Sequence, residues 1–454
     1  MKKKFVNIEE AVQVISQQGF EFAVIQNPEY VYPSLEIHPL AEKILTPPNT
    51  LTAVVCDLDG TLATTEELSI YSLEFMVRQI SGRYTRESWK GFDPFIDYPN
   101  IIGNSTTKHI EYLVSRYSNF INPDCLKKAY FCAAIWTMTT GHDKQRADQV
   151  KSNLRNLGCK NILLDKKLNE LIAERIFDED LIQDYFLPKY GNDFETKDIT
   201  GTVRAATDIF YHRYHEILEG IKDDKGQRLA SELLQDNSRH LIEMMPGAGI
   251  FLAFIKGWLA DATENFIPVL NELMKIKNPQ HYQPVNSEII KVKLDRLAKT
   301  FEKKPLRIAV VTSSIYYETD IVLTALFKTI SAEIDNWPVA EEKKSFLRAK
   351  FSDYTNYFDA VVTADNSSEM RLKPHRDLYS IALHKIGIPK NKFDEVIGLE
   401  DSESGIISLR TAGIGRCLAV PFSKTGGQDL SLAAHIFYGG LPELLLNNNM
   451  FQDF

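Results

Sequence analysis

The sequence predicts an α/β protein built on a doubly wound, Rossmann-like parallel sheet, because short apolar runs recur and helical segments separate the later ones. The runs do not alternate polar and apolar residues, which is typical of strands buried on both faces of a parallel sheet. Alternation of strand and helix favours the same fold class, with right-handed crossovers. The runs cover residues 51–56, 307–311, 358–362, 395–399 and 416–420.

The helical segments between these runs carry recognisable end signals. Residues 376–386 have a helical period and stop at Gly387, and glycine is common just after the last helical turn. Residues 402–411 begin on a serine followed by acids, a pattern typical of a helix N-terminus. Both segments therefore predict helices that connect neighbouring parallel strands.

Reactive side chains follow three of the predicted strands. Asp57 and Asp59 follow the first run, Thr312 follows the second, and Glu400 and Asp401 follow the run 395–399. In open parallel sheets, ligands bind outside the carboxyl ends of the strands. We therefore expect these side chains to line one ligand site at that edge.

The segment Asp57-Leu58-Asp59-Gly60-Thr61 also has two plainer interpretations. Asp-Gly is a common hairpin turn, and Asp-x-Asp-Gly partly matches a calcium-binding loop. A calcium loop needs further oxygen ligands in register and a helix in front of it, whereas a predicted strand precedes this segment. The strand context favours a site for a cation and a phosphate.

Four motifs occur in order along the chain: residues 57–62, Thr312, Lys373-Pro374, and residues 398–405 with Ala412-Gly413 behind them. In this order they resemble the motifs of the haloacid dehalogenase superfamily, and most of all those of its phosphatases related to β-phosphoglucomutase. Pro246-Gly247 and Gly103-Asn104-Ser105 resemble segments that flank or belong to the cap of that family.

The resemblance implies an aspartyl-phosphate mechanism. Asp57 would be the nucleophile that attacks phosphorus, which splits one hard hydrolysis into two easier steps. Asp59 would protonate the leaving oxygen and then take a proton from water. Dehalogenases and phosphonate hydrolases of the family lack an aspartate at the second position, so Asp59 favours a phosphatase or mutase. A turn carboxylate is the plainer interpretation of Asp59.

Two acids facing a phosphate dianion call for a hard cation, and Mg²⁺ fits because it takes one or two carboxylates, waters and phosphate oxygens. The resemblance implies that Asp57, Asp401 and the carbonyl of Asp59 are its ligands. Glu400 would lie in or beside the coordination shell, or else form a salt bridge.

Further residues are expected to bind the phosphoryl group. Lys373 would supply positive charge to it and to the nucleophile. Thr312 and Ser313 would bind phosphate oxygens, although Thr312 could instead cap a helix. Gly60 allows the backbone to approach the ligand closely.

The chain departs from the family pattern at three positions. Thr64 stands where many members carry aspartate, and Arg376 replaces a common proline. Ser69 stands where many subgroup members, including the mutases, carry a histidine, which weakens the mutase interpretation.

The 454 residues, 25% of them charged, suffice for two or three domains. The predicted catalytic core needs about half of them. The predicted organisation is an N-terminal extension (1–50), a catalytic core (51–65 and 246–454) with insertions near 255–304 and 328–352, the latter a surface helix pair, and an enlarged helical cap (66–245).

Composition limits the partners and the compartment. The net charge of −9 argues against general nucleic-acid binding. No apolar stretch is long enough to span a bilayer, and no apolar run follows the basic N-terminus. Five cysteines without metal-ligand spacing are typical of reduced thiols, so a cytoplasmic protein is expected.

The sequence therefore predicts a Mg²⁺-dependent phosphatase acting on a small phosphorylated metabolite. The alternatives are a phosphomutase or other phosphotransferase, and a non-catalytic phospho-ligand-binding or scaffold protein on the same fold. His212 and His215 could share a metal, but packing is the favoured interpretation. The aromatic residues Trp89, Phe92, Phe95 and Tyr98 are expected in the core more than in a substrate cleft.

Overall fold

The computed structural model describes residues 5–27, 31–102, 106–235, 240–279, 282, 287–367, 371–422 and 428–446. The chain divides into two compact units, one formed by residues 1–64 with 243–454 and the other by residues 65–242. The assignment of residues 66–245 as a cap stays a prediction. The segments Gly103-Asn104-Ser105 and 423–427 lie outside the described residues.

The first unit is built on a six-stranded parallel sheet, which confirms the predicted fold class. Its strand order is β10-β9-β8-β3-β6-β7, so the chain starts in the centre and winds out to both sides. All neighbouring strands are parallel. The strands are β3 Ala53–Asp57, β6 Arg307–Val311, β7 Ala360–Val362, β8 Val396–Glu400, β9 Cys417–Ala419 and β10 His435–Ile436.

Eight helices accompany this sheet among the described residues: α12 Ala248–Ile255, α13 Thr263–Lys277, α14 Ser287–Lys303, α15 Tyr316–Glu333, α16 Glu341–Lys350, α17 Asp377–Lys385, α18 Glu403–Thr411 and α19 Gly440–Leu446. Side chains of α17 and α18, such as Leu378 and Leu409, pack on alternate residues of β3 and β6. Both strands are buried along their sheet-forming residues, apart from Arg307 at the start of β6. This burial explains their unbroken apolar sequences.

The predicted insertions contribute buried surface. In the segment 255–304, Phe266 on α13 and Phe301 on α14 are almost completely buried. The segment 328–352, expected to be a surface helix pair, forms the last turns of α15 and then α16. Its side chains Trp337, Leu347 and Phe351 are buried, so apolar spacing within a charged segment is enough to pack it against a neighbour.

The N-terminal extension forms a helix and a hairpin. Helix α1 spans Ile8–Ser16, and the antiparallel strands β1 (Phe22–Gln26) and β2 (Leu35–Pro39) follow it. The hairpin was not predicted, because its strands are short and only Ala23 and Ile25 are well buried. Ala23, Ile25 and Leu40 pack together beside Ile407 and Leu432.

Arg410 of α18 ties the extension to the sheet unit. Its guanidinium group, which is fully buried, donates to the carbonyl oxygen of Ala41 and to the carboxylate of Glu21. The N–H of Ala41 donates to the carbonyl of Arg410 at 2.9 Å. The extension is therefore held in place by charged and backbone hydrogen bonds as well as by apolar contact.

The second unit contains helices and no strand among its described residues: α2 Glu66–Ser81, α3 Tyr98–Ile101, α4 Thr106–Arg116, α5 Pro123–Thr139, α6 Lys144–Asn156, α7 Lys166–Glu174, α8 Glu179–Leu181, α9 Leu187–Tyr190, α10 Ile199–Lys222 and α11 Gly226–Leu234. Phe92 is buried, as expected, whereas Phe95 is exposed. In the first unit, the short antiparallel strands β4 (Ala63–Thr64) and β5 (Glu243–Met244) pair where the chain leaves for the second unit and returns.

Candidate active site

The candidate site lies where the strand order of the sheet reverses. Strand β3 is central, with β6 on one side and β8 on the other. The chain continues from these neighbours in opposite directions across the sheet, which leaves a crevice at the carboxyl end of β3. Asp57 is the last residue of β3, Glu400 is the last residue of β8, and Thr312 directly follows β6.

Lys373 forms an ion pair with Asp57 at this edge. Its ammonium group donates to Asp57 Oδ1 and to the carbonyl oxygen of Val311, the latter at 3.1 Å. It also lies 2.7 Å from Glu400 Oε1. The ends of β3, β6 and β8 are thus joined through a single side chain.

Glu400 is fully buried, and both of its oxygens have partners. Oε1 accepts from the Tyr379 hydroxyl at 2.6 Å besides facing Lys373, and Oε2 accepts from the Ser402 hydroxyl at 3.1 Å. Ser402 is also the N-cap of α18 and accepts from the N–H of Gly405. A Cβ at Gly405 would lie 2.0 Å from Glu400 Oε1, so glycine is required for this close approach.

Asp57, Glu400 and Asp401 form a buried acid cluster, with ligand oxygens within 4.8 Å of one another. Asp57 Oδ2 is buried and has no hydrogen-bond partner among the described residues. Gly60 has a φ of +95°, and a Cβ there would lie 2.3 Å from Asp401 Oδ2. A hard cation fits this cluster, because an orphaned carboxylate oxygen and converging acids are the donors that Mg²⁺ takes.

The charges of the cluster are strongly coupled. Burial, opposed by Lys373 and assisted by Glu400, raises the pKa of Asp57 to about 7. Burial and the carboxylate of Asp57 also raise the pKa of Asp401 well above its usual range. Burial alone would lower the pKa of Lys373, but Asp57 and Glu400 outweigh it, so its pKa lies above the ordinary value. One ammonium therefore balances only part of the negative charge, and a divalent cation would balance the rest.

The other predicted site residues lie on the loops that follow the strands. Asp59 is exposed, two residues beyond the end of β3, and its charge acts on both Asp57 and Asp401. The hydroxyl of buried Thr312 accepts from the N–H of Ser314 at 3.1 Å, and Ser313 is exposed beside it. The alternative of Thr312 as a helix N-cap is wrong, because α15 has Ile315 at that position.

The histidine pair on α10 packs among aromatic rings. The ring of His212 packs 4.8 Å from that of Trp136, and burial lowers the pKa of His212 to about 4. Among the described residues, no cluster of metal-ligating side chains contains His212 or His215. The favoured packing interpretation agrees with these contacts.

Two residues near the site carried no motif in the sequence. Tyr379 on α17 is fully buried, donates to Glu400, and has its ring centroid 5.2 Å from the Lys373 ammonium. Lys277 ends α13, and its ammonium lies 3.1 Å from the position that a Cβ on Gly440 would occupy. Burial lowers the pKa of Lys277 to about 8, opposed by the negative charge of Asp401. In the sequence, a tyrosine within a helix and a lysine within an insertion resemble ordinary packing and surface residues. Only their positions in the structure show that they act on the acid cluster.

Comparison with curated proteins gives a match to part of this chain. A phosphatase of phosphorylated carbohydrates from Thermotoga maritima is 29% identical over 106 residues, which are 23% of this chain and 46% of that protein. The chain thus spans about half the length of the curated relative it matches. No family model matches the chain.

Among solved structures, the chain is similar to CbbY from Rhodobacter sphaeroides in complex with phosphate, at 15% identity and a TM-score of 0.35 over 87% of this chain and 99% of that one. A β-phosphoglucomutase described as putative, from Thermotoga maritima, gives 16% and 0.34 over 87% and 97%. A hydrolase of the haloacid dehalogenase superfamily, subfamily IA, from Geobacter sulfurreducens gives 14% and 0.32 over 88% and 98%. The solved structures to which the chain is similar thus include one named for the superfamily that the four motifs resemble.

None of the helices in the described part of the chain has the length and apolar character needed to cross a membrane. All five cysteines are free thiols, and Cys56 and Cys417 are buried in β3 and β9.

Proposed function

We propose that this protein is a Mg²⁺-dependent phosphatase that hydrolyses a small phosphorylated metabolite through an aspartyl-phosphate intermediate. The observation that carries the proposal is the Lys373–Asp57 ion pair within a buried acid cluster at the switch point of the sheet. A lone ion pair could be structural, but the unpartnered Oδ2 of Asp57 faces no other described protein donor. An orphaned carboxylate oxygen at a ligand-binding edge is suited to nucleophilic attack or metal binding.

In the first step, an oxygen of Asp57 attacks phosphorus and the bond to the leaving oxygen breaks. Asp59 delivers a proton to that oxygen, so the alcohol leaves neutral. In the second step, Asp59 takes a proton from water, whose oxygen attacks the same phosphorus and releases inorganic phosphate and the Asp57 carboxylate. The exposure of Asp59 suits a group that must reach the substrate and then water.

Lys373 stabilises negative charge on the transferred phosphoryl group and orients Asp57. Glu400 is a positioning residue in this proposal, because Lys373, Tyr379 and Ser402 engage both of its oxygens. The hydroxyl proton of Thr312 and the backbone near Ser313 can donate to phosphate oxygens. Phosphoryl transfer asks chiefly for such positioning and charge stabilisation.

Asp57, Asp401 and the Asp59 carbonyl would hold Mg²⁺, with Glu400 beside them. When bound, the cation offsets the negative charge of the carboxylates and of the phosphate. Lys277 adds a second ammonium group whose charge acts on Asp401. A site with these cations suits a phosphate monoester, and the matched relative named for phosphorylated carbohydrates makes sugar phosphates the first substrates to test.

Replacing Asp57 tests the nucleophile. Asp57→Asn is expected to abolish phosphate release from a panel of phosphometabolites in Mg²⁺, because the amide is a poor nucleophile. Asp148→Asn, on an exposed side chain in the second unit, is the matched control and should retain parental turnover. Turnover of Asp57→Asn at the parental rate would refute the assignment. Phosphate release by the parent protein that stops when a sugar phosphate acceptor is added would indicate phosphoryl transfer to that acceptor. Release that continues unchanged would indicate hydrolysis.

Replacing Asp59 tests the proton transfers. Asp59→Asn is expected to lower kcat by about 10²–10⁴-fold, the usual contribution of general acid–base catalysis. Mg²⁺ binding, followed by calorimetry, should change little, because the proposed ligand at this residue is its backbone carbonyl. A normal kcat in Asp59→Asn would show that Asp59 serves only the turn and takes no part in proton transfer.

A further inference from the structure

A second cluster of metal-ligating side chains lies away from the acid cluster. Glu36, His38 and His375 each offer a ligand atom, and these atoms lie within 4.8 Å of one another. Two of the residues belong to the hairpin of the N-terminal extension, and the third lies two residues after Lys373. The sequence gives no metal-binding motif here, because the residues are far apart along the chain.

Strand geometry explains half of the cluster. Successive side chains of a strand point to opposite faces, so Glu36 and His38 of β2, two residues apart, share one face. Both are half-buried, whereas their neighbours Leu35 and Ile37 are exposed. This face of the hairpin is thus turned toward the core, where His375 lies. The rings of His38 and His375 are 6.1 Å apart at an interplanar angle of 79°.

The two oxygens of Glu36 have different surroundings. Oε1 accepts from the Asn27 side chain at 3.3 Å and lies 3.4 Å from Arg371. Oε2 faces His38 Nε2 at 3.1 Å. Oε1 therefore has the outer hydrogen bonds that orient a metal-binding carboxylate, and Oε2 is the oxygen turned to the histidines. The ring of His375 has no hydrogen-bond partner among the described residues.

Helix α18 holds both parts of the Glu36–His38–His375 cluster in place. Arg410 and the Ala23–Ile25–Leu40 contacts fix the hairpin on α18. The Ser408 hydroxyl, also on α18, donates to the carbonyl oxygen of His375 at 2.5 Å. One helix therefore positions all three side chains, whose ligand atoms lie within 4.8 Å of one another.

We propose that Glu36 Oε2, His38 and His375 bind a zinc ion, with water in the fourth position. Two imidazoles and one carboxylate are ligands typical of Zn²⁺, and Mg²⁺ prefers oxygen alone. The ion replaces the His38–Glu36 hydrogen bond and clamps the N-terminal hairpin to the segment that carries Lys373.

The test uses the full chain, stripped of metal and then kept in excess Mg²⁺ so that the acid cluster is filled. Zn²⁺ is titrated against a chromophoric chelator, and one high-affinity equivalent is expected. His38→Gln and His375→Gln should each weaken Zn²⁺ binding by more than about 100-fold, since loss of an outer hydrogen-bond partner alone costs about 10–100-fold. His384→Gln, on an exposed histidine of α17, is the matched control.

Three further measurements keep the result unambiguous. Glu36→Gln retains the side-chain volume and should also lose the zinc equivalent, so a folding defect in one histidine variant does not decide the outcome. Asp401→Asn should keep it, which separates this site from the acid cluster. X-ray absorption of the zinc-loaded protein should show nitrogen and oxygen ligands at about 2.0–2.1 Å. Unchanged zinc binding in His38→Gln, His375→Gln and Glu36→Gln would overturn the proposal.

Discussion

At the scale of single residues, the site depends on how each buried charge is satisfied. Lys373 bridges Asp57, Glu400 and the backbone of β6, and Tyr379 completes the surroundings of Glu400. Because an unpaired buried charge is costly, each of these partners constrains the others. Asp57 Oδ2 has no hydrogen-bond partner among the described residues, and it is the atom for which the proposed chemistry has a use.

Tyr379→Phe is expected to destabilise the protein by about 1.5–3 kcal/mol, because it removes a buried hydrogen bond to a charged group. It should also lower kcat, since Glu400 would then hold Lys373 less firmly. Urea unfolding and phosphate release measure the two effects. Tyr438→Phe, on an exposed side chain, is the control and should change neither. Unaltered stability and kcat in Tyr379→Phe would contradict a positioning role.

At the scale of elements, α18 serves two regions of the sheet unit. Its N-terminus meets Glu400 through Ser402 and Gly405, and its last turn carries Arg410, which binds the N-terminal extension. The helix thus connects the acid cluster to the hairpin. Gly405 is needed because the helix begins directly against the Glu400 carboxylate.

Arg410→Met should release the extension while leaving the apolar contacts of α18 in place. The carbonyl of half-buried Ala41 would lose its guanidinium donor, which costs up to about 3 kcal/mol. We expect faster hydrogen exchange and easier proteolysis of residues 21–41 than in the parent protein. Arg228→Met, on an exposed side chain, is the control. Equal protection of the hairpin in both variants would show that apolar packing alone holds it.

At the scale of the whole molecule, negative charge is concentrated where the sheet order reverses. The chain carries a net charge of −9, and three of its acids are buried together at one edge. Folding brings them there against their mutual repulsion, so a cation that binds the native state should stabilise it. Binding to the folded state alone adds about 2.7 kcal/mol at a concentration 100 times Kd.

Mg²⁺ is therefore expected to raise the Tm of the metal-stripped protein, as followed by calorimetry. Asp401→Asn should lose most of this increase, because it removes a proposed ligand, and its metal-free form should be no less stable than the parent, since one repelling charge is gone. Sodium at matched ionic strength controls for screening. An equal Mg²⁺ effect in both proteins would place the bound cation elsewhere.

The sequence by itself determined the parallel sheet and the residues at its carboxyl edge. Strands buried on both faces must be continuously apolar, and the residue that follows such a strand lies at a known edge. Asp57, Thr312, Glu400 and Asp401 could therefore be placed before any coordinates. Their roles in catalysis and metal binding stay predictions.

Only the tertiary structure decided which groups surround those residues. Tyr379 donates to Glu400 from a helix, the charge of Lys277 acts on Asp401, and the hairpin face with Glu36 and His38 meets His375 from a distant part of the chain. Residue type and spacing in the sequence do not indicate these contacts, because the contacts depend on how the helices pack and how the hairpin docks. The physical reason is that local pattern fixes which face of an element is apolar, whereas the partner of its polar groups depends on the whole fold.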